Sequence, residues 1–139
     1  MKKQRGFTLI ELLVVIAIIG LLSTLAIVAL SNARQKSRDA RRVSDIKQIQ
    51  TALELNYNDA NSYPATLAVG DAIAFGGTTY MAIVPKNPTP ADGSCGATEY
   101  TYAMQSTGAS YSIRYCLGAA TGGLAANTHW ATPAGIANP

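Results

Sequence analysis

Apolar residues run almost without a break from Phe7 to Leu30, and the only charged side chain among them is Glu11. An α-helix needs roughly 20 such residues to cross the hydrocarbon core of a bilayer. From Ser31 the pattern changes. Val43, Ile46, Ile49, Leu53, Tyr57 and Ala60 recur at spacings of three and four, which places them on one helical face. No proline occurs before Pro64, and Gly20 is the one glycine between Phe7 and Ala60. One helix over residues 7–60 is therefore predicted, roughly 80 Å long at 1.5 Å per residue. Its first half, 7–30, is membrane-spanning in character, and its second half, 31–60, is amphipathic. Asn58-Asp59-Ala60-Asn61-Ser62-Tyr63-Pro64 gathers turn formers and a proline that end it.

Beyond the helix the period shortens to two. Thr78 to Val84 reads as a strand stopped by Pro85, after a variable loop reaching Gly77. Lys86 to Gly93 reads as a loop, with Asp92-Gly93 as a turn. Glu99 to Met104 alternates, with Tyr100, Tyr102 and Met104 on one face; Ser110 to Leu117 alternates likewise, with Tyr111, Ile113, Tyr115 and Leu117 together. Ser106-Thr107-Gly108 suits a hairpin turn between these two runs. Residues 118–139 lack charge apart from His129, and they predict an irregular cover or one short strand near Thr128–Ala131. The class expected is α+β: a small antiparallel sheet at 61–139 lies on the apolar stripe of the helix. Leu55, nearly opposite that stripe, should be exposed, either without a role or packed on a neighbouring helix.

Charge changes this picture at three places. The net charge of +3 lies in Lys2, Lys3 and Arg5, since the remaining Lys and Arg balance Asp and Glu. The high pI is thus no sign of a nucleic-acid-binding head. Residues 34–47 hold six basic side chains against Asp39 and Asp45; a solvated face is expected there, with contact to anionic headgroups or DNA as the alternative. Glu11 is the third place. An acid inside an apolar span costs on the order of 2.5–3.5 kcal/mol at the centre of a membrane and less near its ends, so a partner is expected. A secretory signal would be shorter and would be followed by a small-residue cleavage site. A plain signal anchor would not require Glu11.

Lys2-Lys3-Gln4-Arg5-Gly6-Phe7-Thr8-Leu9-Ile10-Glu11-Leu12 resembles the leader and mature start of type IV prepilins and type II secretion pseudopilins. The resemblance implies a pilin-like fold, one long N-terminal helix packed against a small β-rich head. It implies a leader, 1–6, that a prepilin peptidase removes by cutting between Gly6 and Phe7, with N-methylation of Phe7. It implies that Glu11 pairs with the α-amino group of a neighbouring subunit's Phe7 and so sets register. The partners implied are identical or related pilin subunits, an inner-membrane assembly platform, and membrane lipid before assembly, with the head outside the cytoplasm and later in a pilus or pseudopilus. The positive-inside rule alone does not orient the chain, because basic residues flank the span on both sides. Tyr63-Pro64 and the short head are similar to major pseudopilins. Many members carry a proline where Val28 stands, so a kink there is not expected.

Cys95 and Cys116 are the only cysteines. Outside the cytoplasm a disulfide is the natural reading, and two unpaired core residues are the alternative. A single histidine excludes a histidine-pair zinc site, and no nucleophile elbow or phosphate-binding glycine loop is present. Calcium sites of major pseudopilins use acids near the C-terminus, whereas the last acid here is Glu99. No metal, cofactor or enzymatic activity is expected. The function implied is a structural filament subunit. The alternatives are a minor pilin that binds DNA or surfaces, and a membrane-anchored protein that does not polymerise.

Overall fold

The structure is a computed structural model that describes residues 6–96 and 99–137. Helix α1 runs Leu9–Ala60. Strands follow at β1 Ile73–Phe75, β2 Thr78–Met81, β3 Thr101–Gln105, β4 Ser110–Cys116, β5 Thr128–Thr132 and β6 Gly135–Ala137. The chain divides into two compact units, Met1–Arg34 and Gln35–Pro139. In the first, the apolar side chains of α1 from Leu9 to Leu30 are exposed all round. Helix α1 contains a segment long and apolar enough to cross a membrane.

The second unit has the α+β arrangement that the alternation predicts. Helix α1 ends where Asn61 takes a left-handed conformation (φ 53°) and its N–H bonds the Tyr57 carbonyl at 2.7 Å, a helix-terminating geometry that asparagine tolerates. The order β3-β4-β5-β6 forms one antiparallel sheet, and β1 pairs with β2 in a separate hairpin. Tyr111, Ile113, Tyr115 and Leu117 turn inward with Ala131 and meet Ile46, Ile49, Ala52 and Leu53 of the helix. Tyr63 closes one end. Its ring stacks on Tyr57 at 4.5 Å and meets Tyr111 edge-on at 4.6 Å, while its hydroxyl donates to Glu54 at 3.0 Å. Leu55 is exposed.

Several expectations are corrected. The loop before Gly77 contains β1: Gly76 and Gly77, both at positive φ, make the tight turn that pairs Phe75 with Thr78. Strand β2 ends at Met81 rather than Val84. The first tyrosine-rich strand starts at Thr101 rather than Glu99 and continues to Gln105. The C-terminal region adds two strands, β5 and β6, not one. The charged stretch 34–47 is not simply a solvated face, because Asp39, Arg42 and Asp45 are buried. The one histidine in the sequence is His129. It is buried on β5, with Nε2 2.8 Å from the Ala125 carbonyl oxygen and its ring 5.5 Å from that of Tyr115.

Candidate functional site

The expected processing and assembly residues lie at the start of α1. Gly6 and Phe7 are exposed and precede the first helical residue, Leu9; Lys2, Lys3 and Arg5 lie outside the described residues. Thr8 is the N-cap. Its hydroxyl accepts the Glu11 backbone N–H at 3.3 Å, and Glu11 Oε2 in return accepts the Thr8 backbone N–H at 2.8 Å and the Thr8 hydroxyl at 2.6 Å. This is a reciprocal capping box. It satisfies helix-end donors that hydrocarbon could not, and it places the carboxylate in the positive field of the helix N-terminus. Phe7, Ile10, Glu11, Val14 and Val15 line an open, largely apolar groove of about 360 Å³ around it. The signal for the box, Thr8-x-x-Glu11, stands in the sequence, but the reading of Glu11 as a charge in search of a distant partner passed over it.

A second constellation is one that sequence reasoning missed. Asp39 and Arg42, three apart on α1, pair at 2.6 Å and are both almost wholly buried. Arg42 also reaches Asp92 Oδ2 at 2.9 Å, the Asn87 side-chain oxygen at 2.9 Å and the Pro88 carbonyl at 2.7 Å. Arg38 grips Asp92 with two nitrogens. The Asp39 carboxylate accepts the backbone N–H of Gly118 at 3.1 Å and of Ala119 at 2.9 Å. One helix side chain thus ties down the chain leaving β4, and two others tie down the loop before β3. Arg38 donating to Asp92 holds its carboxyl below the ordinary carboxylate range; burial opposes this and Arg42 adds to it. Asp45 shifts the other way, raised by burial against the Tyr100 hydroxyl and Arg41.

Cys95 and Cys116 are joined as a disulfide, which fastens the same loop to the end of β4. The fit is close. A Cβ added at Gly93 would stand 2.6 Å from the Gly118 carbonyl oxygen, and one at Gly118 would stand 2.4 Å from Asp92 Cβ. Asp92-Gly93 is a turn as expected, but the acid is a structural anion rather than a solvated one. Among the described residues, no group of three or more His, Cys, Asp or Glu side chains is placed to hold a metal ion.

The N-terminal arrangement has a counterpart in known proteins. Residues 1–27 match the prokaryotic N-terminal methylation motif. The type IV major fimbrial protein FimA of Dichelobacter nodosus is 36% identical over 110 residues, 75% of this chain and 66% of that protein. Type II secretion system core protein G of Escherichia coli strain K12 is 44% identical over 64 residues, 46% of this chain and 44% of that one. Core protein G of Pectobacterium carotovorum is 42% identical over 64 residues, 46% of this chain and 41% of that one. The chain thus spans less than half the length of these two core proteins. No solved structure matches it significantly. A methylation motif opening an apolar helix that continues into a β-sheet head defines a prepilin-type protein. The chain belongs to the type IV pilin and pseudopilin family.

Proposed function

We propose that this chain is a structural subunit of a helical filament, either a type IV pilus or a type II secretion pseudopilus. The carrying observation is the methylation motif over residues 1–27 at the head of a helix whose apolar side chains from Leu9 to Leu30 are all exposed. Such a surface needs lipid or other helices to cover it. On this reading a prepilin peptidase cuts between Gly6 and Phe7, and Phe7 is N-methylated. The span 7–30 rests in the cytoplasmic membrane with the head outside, then moves sideways into a filament of like subunits. There the α-amino group of a neighbour's Phe7 meets Glu11. The two charges, each costly in hydrocarbon, offset one another and fix the axial register. The head contributes no catalytic step.

Mass spectrometry of the mature protein from its own cells tests the first part. An N-terminus at methylated Phe7 is expected; an intact Met1, or a cut beyond residue 20, would refute it. For the second part, Glu11→Val should leave cleavage intact but reduce entry into filaments that contain wild-type subunits. Normal incorporation would remove the register role.

A further inference from the structure

We infer that the head carries a binding site for an anionic phospholipid headgroup, formed by Arg38, Arg41 and Lys86. The inference rests on the membrane stage of the reading above. These three cations, with Ser37, Asn87, Pro88 and Thr89, line an open cleft of about 420 Å³ between α1 and the loop before β3. Among the described residues, no carboxylate lines it. The acids that balance the charge locally sit beneath it. Asp92 and Asp45 are nearly buried, whereas Arg41 is 69% and Lys86 68% exposed. The surface contacts of those two cations are long, at 3.9 Å to Asp45 and 3.8 Å to Glu99, and exposed pairs of that kind hold a cation weakly. The cleft therefore presents Arg41 and Lys86 outward above the buried Asp92 and Asp45, while Arg38 is held on Asp92 and the half-exposed Glu99 stands beside Lys86. Two hydroxyls beside three cations suit the non-bridging oxygens of one phosphodiester.

Position selects the source of that phosphate. Arg38 follows Leu30 by eight residues in the same helix, about 12 Å of contour at 1.5 Å per residue. That is somewhat more than one Debye length of about 8–10 Å, the distance over which the attraction of an anionic leaflet for basic side chains decays. Duplex DNA is the poorer fit. Its binding draws on about 6–10 phosphate contacts along an extended track, and here the cations converge on a single cleft.

The test uses the full chain in nanodiscs of phosphatidylcholine alone, or of phosphatidylcholine and phosphatidylglycerol in equal parts. The readout is the acylation rate of each lysine, with Lys36 and Lys47 as exposed references that do not line the cleft. Phosphatidylglycerol should slow Lys86 by about fivefold more than either reference, the effect of roughly one well-placed cation. Arg41→Gln should abolish most of that difference while leaving the melting temperature unchanged. Equal slowing of all three lysines would overturn the site in favour of diffuse attraction. Equal slowing of Lys86 in phosphatidylcholine discs by millimolar inorganic phosphate, or by duplex DNA, would overturn the lipid assignment. Hydrogen exchange over residues 9–30 is followed in parallel. Protection in both discs upholds the membrane stage, and its absence would overturn that stage and the lipid site with it.

Discussion

Leucines and isoleucines serve two regions of one helix in opposite ways. At Leu9–Leu30 they point in every direction and no described residue buries them; at Ile46, Ile49 and Leu53 they form a single stripe that is wholly buried under the sheet. The same residue types at the same helical propensity thus produce an adhesive surface in one half and a closed core in the other. Only their spacing differs: a full cylinder of apolar groups cannot be buried by one small sheet, whereas a stripe can. Mutations should separate the two regions by what they damage.

The largest loss of head stability is expected from Arg42→Met. It removes the guanidinium that Asp39 and Asp92 share and leaves two buried carboxylates undercompensated, at a cost of about 3–5 kcal/mol. Denaturant unfolding of the full chain in detergent measures this, and a change below about 1 kcal/mol would show the network to be ornamental. Leu53→Ala should cost about 2–5 kcal/mol through the cavity it opens, while Leu21→Ala should leave the head's unfolding midpoint unmoved. If both substitutions shifted that midpoint equally, the division between the regions would fail. Reducing Cys95–Cys116, which closes a loop with a sequence separation of 21, should cost about 3 kcal/mol on the chain-entropy account. Unchanged melting on reduction would contradict that.

The smallest effect is one of pH. The Asp92 carboxyl is held low in the folded head, so its contribution is complete above the usual carboxylate pKa and fades as pH falls through the folded value. Arg38 is the main cause of that depression. Arg38→Gln should therefore lower the melting temperature near neutral pH and shrink the part of it that is lost on acidification, because the folded Asp92 pKa moves back toward its unfolded value. Asp45, raised by burial, acts with the opposite sign in both proteins and does not mask the difference. Coincident acid limbs would mean that Asp92 does not govern them.

What the sequence disclosed follows from how local each signal is. The stripe at 43–60 and the alternation at 110–117 repeat several times within a short window, so the helix face and β4 could be read directly. Strand β1 offers three residues, too few to show a period, although the Gly76-Gly77 pair beside it is a hairpin signal in its own right. Strands β5 and β6 hide in an Ala-, Gly- and Thr-rich stretch, because the buried residues of β5 are His129 and Ala131 rather than large aliphatics, and β6, with Ile136 against the core, is only three residues long. The charge network could not be read from 34–47 alone. Asp92 lies 50 residues from Arg42, and an acid in a loop looks solvated until the fold brings it under the helix. The candidate assembly residues were legible because Gly6, Phe7 and Glu11 sit within one short motif, yet the local partner of Glu11 was overlooked in favour of a remote one.

That local partner bears on how a filament of this kind could be undone. Thr8 and Glu11 satisfy one another within a single chain, so an isolated subunit already carries a hydrogen-bonded acid. On the proposed assembly, a neighbour's amino group would add charge pairing to a carboxylate that was never bare. Departure then leaves the acid hydrogen-bonded, since the chain's own hydroxyl and amide still hold it. On that proposal the cost of breaking the joint falls on the amino group rather than on the acid, which keeps its own bonds in either setting.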